Sequence, residues 1–553
     1  MALKRVNAVV VGGGAGGGIV AKELAVAGLS VVLLERGKWY TPFDDRKDDL
    51  RNQRTCVLGN SFGPDEERNP RVFVDSRGQE HISRSNDGTY SNNAACVGGG
   101  TLSYGAMAWR FLEKDFRMRS TYGTVDGSTL DDWPISYADL EPFYEKAEWE
   151  VGVSGDDSNN VFRAPRKRAL PMPPLPPNHE YQLLKPAALR LGLHPFDLPM
   201  LRNSVPYNGR AACMRCRWCV GFACEVDAKN GTQNTVIPTA LKSGNCELRL
   251  ECIAKEISTD SHGNATGVAY FDRNGRLQEQ PADVVVVSCS AVESARLLLN
   301  SKSRLFPNGL GNRHDWVGRN LQGHAYTGAA GLFDHDTYDD LGPGASIAIC
   351  DYNHGTRGFI GGGLLANEFI RLPYQFAGLR IPGVPRWGVA HKEFMRQFYR
   401  RSVYVMGPMQ EMPVFEARVE VDSRVKDHWG IPVARLSGHR HENDVIGAKF
   451  LAAKAEAWLK EAGAIRTVAF DWVSRDSLSG GQHQAGTCRM GNDPRTSVVD
   501  RSCRIHDADN VYVVDGSVHV TNGGFNPVLT IMAIAYYVSD NLVKSWKGTH
   551  GHS

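Results

Sequence analysis

Val6-Asn-Ala-Val-Val-Val-Gly-Gly-Gly-Ala-Gly-Gly-Gly18 decides the fold class. Val6 to Val11 is a short β-branched run of the kind found in strands buried on both faces. It enters a glycine cluster and then Ile19 to Ala27, helical in composition and stopped by Gly28. Ser30 to Leu34 reads as a second strand, ending at Glu35, 21 residues beyond Gly14. Gly12, Gly14 and Gly17 form G-x-G-x-x-G in the strand–turn–helix setting that binds dinucleotides. Gly12 permits a tight turn, Gly14 lets backbone approach a pyrophosphate, and Gly17 lets helix and strand pack closely. The helix N-terminus offers unpaired N–H groups to phosphate, and Glu35 is placed to accept hydrogen bonds from a ribose. A merely flexible turn would not bring strand, helix, second strand and acid together. The chain therefore opens on an α/β, Rossmann-like dinucleotide domain.

The 553 residues make room for about three or four domain-sized units. A hydrophobic fraction of 42% with 22% charged residues excludes large-scale disorder. Lys plus Arg is 63 against 61 for Asp plus Glu, and such a balance argues against a nucleic-acid partner. No stretch approaches the ~20 apolar residues of a membrane span. Val528 to Val538, interrupted by Thr530, reads as a buried helix. Lys4 and Arg5 precede an apolar run, but that run meets Gly12 without a cleavage-like site, so no secretory leader is expected.

Distant segments distinguish between dinucleotides. His483-Gln-Ala-Gly-Thr-Cys-Arg-Met-Gly491, Val511-Tyr-Val-Val-Asp-Gly-Ser517 and Asn526-Pro-Val-Leu-Thr-Ile-Met-Ala533 resemble the C-terminal signature of the glucose–methanol–choline (GMC) oxidoreductases, which bind FAD. Cys96-Val-Gly-Gly-Gly-Thr-Leu-Ser-Tyr-Gly105 resembles the family's flavin-facing loop. Asp283 to Leu299 resembles its second cofactor strand and helix. Trp133 to Tyr144 is similar to an element of its bacterial sugar- and glycoside-oxidising branch, which includes pyranose oxidases and gluconate and fructose dehydrogenase large subunits.

By this resemblance His483 is the catalytic base and Asn526 its partner, 43 positions on. Histidine suits the task because its reference pKa, about 6.5, lies near working pH. A carboxamide orients the substrate oxygen without competing for its proton, and His519 reads as a supporting residue. The resemblance also places Gly98, Gly100, Thr101, Ser103, Ile253 (in a strand Glu247 to Ile257), Asp515, Gly516, Pro527 and Thr530 against FAD. Thr530 would open a helix whose N-terminus faces the flavin. Some members attach flavin through a histidine where this chain has Ser103, so non-covalent FAD is expected.

Cys213, Cys216, Cys219 and Cys224 crowd four thiols into one loop. Iron–sulfur and structural zinc sites use such spacing, and related dehydrogenase subunits carry an iron–sulfur cluster in a similar segment. Here the spacing differs and Glu225 replaces the usual proline. An iron–sulfur cluster, another metal or disulfide, and plain buried thiols all remain open.

The expected organisation is an FAD domain in three parts, 1–150 (with an inserted loop, 45–90), 206–324 (with the cysteines) and 476–553. Its sheet would use strands near 6, 31, 250, 285 and 512. Residues 151–205 would be a connector and part of the substrate domain, with Pro165 to Pro177 extended by its six prolines. Residues 325–475 would form an antiparallel substrate-binding sheet, α+β in class, containing Ser402 to Met406 and Ala417 to Val421 and covered by helix Asn443 to Ala462. The expected activity is transfer of hydride from a secondary hydroxyl of a sugar or glycoside to flavin N5, dehydrogenase before oxidase. A hydroxynitrile lyase or other non-redox flavoprotein, and a flavoprotein electron-transfer subunit, are the alternatives. A small signal-bearing subunit and an electron-accepting protein are the expected partners. The expected location is cytoplasmic, or periplasmic if the chain is exported with that subunit.

Overall fold

Strands β1 (Val6–Val11), β2 (Val31–Leu34), β3 (Cys246–Arg249), β4 (Ile253–Thr259), β5 (Ala265–Phe271), β6 (Leu277–Val287) and β7 (Val511–Val513) form the first sheet. The computed structural model describes residues 3–44, 47, 62–91, 94–478, 481 and 483–550. Five of these strands, close to the five positions expected, run parallel in the order β3-β2-β1-β6-β7. Val9 to Val11 of β1, the valines and leucines of β2 and Val285 to Val287 of β6 are almost wholly buried because helices cover the sheet. Burying each such side chain contributes about 1.5–3 kcal/mol relative to exposure. β6 joins the parallel and antiparallel parts of this sheet. Its first half, Leu277 to Pro281, pairs antiparallel with β5, and Ala282 to Val287 runs parallel to β1. Helices α1 (Gly17–Val26), α2 (Ser290–Asn300) and α3 (Val528–His550) start at the carboxyl ends of β1 and β6 and beyond β7.

The second sheet has seven strands, in the order Arg466–Ala469, Thr327–Leu332, Ser402–Gly407, Leu365–Asn367, Ile347–Ile349, Phe196–Met200, Ser154–Asp156. Every neighbouring pair is antiparallel. The last two strands of this roof come from 151–205, the stretch expected to be both connector and part of the substrate domain. Helix Glu442–Glu461 packs on it through Leu451, Ala455 and Trp458 against Ala329, Val403 and Val405. The Trp458 Nε1–H donates to Leu184 O at 2.8 Å, joining this helix to helix His179–Arg190. Pro165 to Pro177 contains no helix or strand, as its prolines dictate.

Two expectations need correction. The segment Ala417 to Val421 does not join the roof. Strand Arg418–Lys426 pairs with Pro432–Ser437 in a four-stranded sheet completed by Arg71–Val74 and Glu80–Ser83. Alternation identifies a strand but not its partners. Here a buried ionic network ties the sheet to α2: Arg71 to Glu293 (2.6 Å), Glu293 to Arg296 (3.2 Å) and Arg296 to Asp427 (2.7 Å). Glu247 to Ile257 is likewise not one strand. Glu251 adopts φ +55°, its N–H donating to Gly37 O, while the Cys252 N–H donates to Glu35 O. The chain follows the loop after β2 before β4 begins at Ile253. Of the inserted loop, residues 45, 46 and 48–61 lie outside the described residues.

Candidate active site

A cavity of about 510 Å³ lies at the carboxyl ends of the parallel strands, beneath the roof. One end is made of backbone. Gly12 turns with φ +101°, and a Cβ there would stand 2.2 Å from Ser288 O. A Cβ on Gly17 would stand 2.0 Å from Gly12 O, so Gly17 packs helix on strand and does not line the cavity. Gly14 differs. It lines the cavity, and a Cβ would meet nothing within 4 Å, which leaves room for a ligand against the main chain. Glu35 accepts from Gly13 N–H through Oε2 and from Gly37 N–H through Oε1, both at 2.8 Å. Arg36 N–H is a third backbone donor to this carboxylate, which leaves one lone pair for a ribose hydroxyl. Burial raises the Glu35 carboxyl above its ordinary pKa, against the backbone donors and the Arg36 charge.

Along the cavity follow Gly100, Thr101 and Ser103 on one side and Ile253, Asp515, Gly516 and Pro527 on others. The Gly98 N–H donates to Gly13 O at 2.8 Å and locks this loop to the glycine turn, but Gly98 itself stands outside the cavity wall. Asp515 Oδ2 accepts from Ser290 N–H and the Ser294 hydroxyl, and Oδ1 from Ser517 N–H. Burial raises the pKa of its carboxyl as well. Thr530 is placed otherwise than expected: its hydroxyl bonds the Tyr144 hydroxyl at 2.7 Å, and Pro527, Val528 and Ile531 bring the first turn of α3 to the cavity instead.

The other end is made of side chains. His483 and Asn526 come together as predicted, Asn526 Nδ2 lying 3.3 Å from His483 Nε2. The Trp109 Nε1–H donates to Asn526 Oδ1 at 3.0 Å. His324 Nδ1 lies 2.9 Å from His483 Nδ1, and its Nε2 lies 2.9 Å from Gly523 O and 3.1 Å from Asn522 O. The Asn522 side chain donates to His483 O at 2.7 Å and to Gly323 O at 3.1 Å, fixing the two histidine segments. His519 is fully buried, bonds Asn522 Oδ1, and lies outside the cavity, in keeping with a supporting role. Burial pushes its pKa down to about 4. Sequence reading missed Trp109 and His324. Neither belongs to a spaced motif, and only the fold brings them to residues more than 150 positions away.

The four crowded cysteines occupy one loop behind this cavity, where Gly221 N–H donates to Ser103 O at 2.6 Å. Cys219 is buried, the other three are half-buried, and all are free thiols. Among the described residues no three His, Cys, Asp or Glu side chains converge as a metal site, so the structure does not assemble Cys213, Cys216, Cys219 and Cys224 into a ligand set. Buried Arg202 and Lys229 lie among these thiols, Lys229 donating to Cys219 O and Phe222 O. Burial lowers the Lys229 pKa to about 8. No helix among the described residues is long and apolar enough to cross a membrane.

Two family models described as GMC oxidoreductase match the chain, one over residues 7–326 and its C-terminal counterpart over 413–535. The 6'''-hydroxyparomomycin C oxidase of Streptomyces lividus is 30% identical, over 96% of this chain and 90% of that protein. The gluconate 2-dehydrogenase flavoprotein of Pantoea cypripedii is 28% identical, over 97% and 93%. Among solved structures, a formate oxidase of Aspergillus oryzae shares the fold with a TM-score of 0.65 at 15% identity, covering 100% of this chain and 99% of its own.

Proposed function

The chain belongs to the GMC oxidoreductase family, and on that premise we propose that it oxidises a hydroxyl of a sugar or glycoside to a carbonyl with FAD as hydride acceptor. The reading is carried by one observation: the His483–Asn526 pair closes one end of a cavity whose other end is the Gly14–Glu35 cradle. The sugar or glycoside follows from the relatives named above. Bound FAD would supply the two-electron acceptor. Gly14, Ala15 and Gly16, leading into α1, would hold its pyrophosphate, Glu35 its ribose, and the backbone around Ile253 its adenine. Ser103 offers no bond to the flavin ring, so the cofactor is held non-covalently.

The chain's own residues handle the proton. His483 Nε2 faces the cavity beside the Asn526 amide and takes the proton as the substrate hydroxyl is oxidised, a role worth typically 10²–10⁴-fold in rate. Asn526, pinned by Trp109, holds the substrate oxygen, so that much of the barrier falls through placement. The N-terminus of α3 opens on the same space and favours negative charge there. No step passes through the cysteine loop.

The test is a panel of free sugars and glycosides added to purified protein without oxygen, reading loss of the visible flavin band. Bleaching by members of the panel is the expected result, with a product two hydrogens lighter. Colourless protein, or yellow protein that no sugar bleaches, overturns the reading. Re-oxidation by an artificial acceptor faster than by oxygen is expected of a dehydrogenase.

A further inference from the structure

Four side chains at the reactive end form a chain of hydrogen bonds whose two ends admit one direction each. Trp109 Nε1–H is a donor only, so the Asn526 atom facing it at 3.0 Å is the carbonyl Oδ1. The Asn526 NH₂ group therefore faces His483 Nε2, at 3.3 Å. At the far end, Gly523 O and Asn522 O are acceptors only, so His324 Nε2 carries a proton and donates to them. If His324 is neutral, its Nδ1 holds a lone pair, which must accept from His483 Nδ1–H at 2.9 Å. Both ends thus make the same demand on His483: a proton on Nδ1 and none on Nε2.

We infer that Trp109 and His324 are positioning residues that fix His483 in its base-competent tautomer, with the Nε2 lone pair held by the Asn526 NH₂ group until a substrate hydroxyl takes that place. The inference rests on the functional reading above for its meaning but not for its geometry. His324 is 5% exposed. The titratable groups that act on it are Glu411, Asp115, His483 and His519. Glu411 is itself held by Arg440 Nε at 2.7 Å and by Gly323 N–H at 2.8 Å, and Asp115 by His354 Nε2 at 3.0 Å. Burial outweighs the carboxylates and keeps the His324 pKa below the ordinary histidine value, hence neutral. A cationic His324 would point a second donor at His483 Nδ1 and force the proton to Nε2, against the Asn526 NH₂. When Nε2 takes the substrate's proton, the imidazolium keeps Nδ1–H donated to His324, and the Asn526 NH₂ hydrogen bond passes from Nε2 to the substrate oxygen.

The direct test is nitrogen NMR of the flavin-loaded enzyme labelled with ¹⁵N-histidine, with the His483 signals assigned by loss in His483→Gln. Protonated Nδ1 and bare Nε2 are expected in the resting enzyme; the opposite tautomer overturns the inference, whether or not any sugar is oxidised. Kinetics with the most rapidly oxidised sugar of the panel give the second readout. His324→Leu is expected to lower kcat by about 10²-fold with flavin retained, within the range for losing an oriented base. The acid limb of its pH profile should move to lower pH, because the imidazolium loses an acceptor that favours it. His324→Gln keeps one acceptor and one donor and should recover most of the rate, while Trp109→Phe should cost about 10-fold with KM little changed. An unaltered rate and pH profile in His324→Leu, or equal damage in His324→Gln, overturns the assignment. If His324→Leu does not fold, Trp109→Phe and the NMR result decide.

Discussion

The two ends of the cavity are built by different means. The cradle end is backbone: glycine turns leading into α1, and a carboxylate already held by backbone N–H groups. The reactive end is side chain, and its four members sit at positions 109, 324, 483 and 526. A backbone site tolerates no added atoms but asks little of residue identity beyond its glycines. A side-chain site keeps its shape under many changes nearby and loses its chemistry with one substitution. The first end should fail by losing its ligand, the second by losing rate with its ligand in place.

His483→Gln is the hardest test of that contrast. We expect kcat to fall by about 10³-fold, inside the usual range for a general base, with the flavin spectrum and flavin content unchanged. Loss of the cofactor instead would mean that the two ends are not separable. Gly14→Leu probes the cradle. Nothing lies within 4 Å of its Cβ position, so the chain should fold and melt like the flavin-free parent. It should nonetheless retain flavin about 100-fold more weakly, as measured by absorbance after gel filtration, because the leucine fills the space of a pyrophosphate. Normal flavin content would show that the space serves something else.

The smallest expected effect concerns the ionic network beside the cradle. Burial would raise the Glu293 carboxyl, but Arg36, Arg71 and Arg296 outweigh it and hold its pKa well below the ordinary range. Its folded pKa is depressed, so its contribution is complete above the unfolded-chain value of about 4.3 and is lost as pH falls below that. Glu293→Gln should cost about 2 kcal/mol at pH 7, as for a lost charged hydrogen bond. Urea midpoints should then depend less on pH below 4.3 than in the parent. An equal acid slope in the two proteins would place the acid lability elsewhere.

The same contrast explains what the sequence discloses. β1, the glycine turn, α1, β2 and Glu35 are contiguous, and their spacing is the geometry, so the cradle can be read from 30 residues or so. Strands near 6, 31, 285 and 512 are legible as runs of β-branched and apolar residues, but their order in the sheet exists only in the pairing. His483 and Asn526 are legible only because each stands inside a recognisable segment. Trp109 and His324 have no such setting, and their roles exist only once hydrogen-bond directions are traced in space. The assignment of Arg418–Lys426 to a separate sheet depends on Arg71 and Asp427 meeting Glu293 and Arg296 across more than 130 positions, which no local pattern encodes. The break at Glu251 is equally silent, a left-handed residue that is not glycine.

His324 stands three residues ahead of Thr327–Leu332, at the seam where the chain leaves the dinucleotide domain for the roof. Chimaeras that exchange roof segments beyond this seam would therefore keep the whole hydrogen-bonded chain of Trp109, Asn526, His483 and His324 in the host. Such grafts would change which molecules are admitted while leaving proton handling to the recipient, so substrate preference could be transplanted as a module. A crossover placed even four residues earlier would carry the donor's residue at 324 along and tie the two traits together.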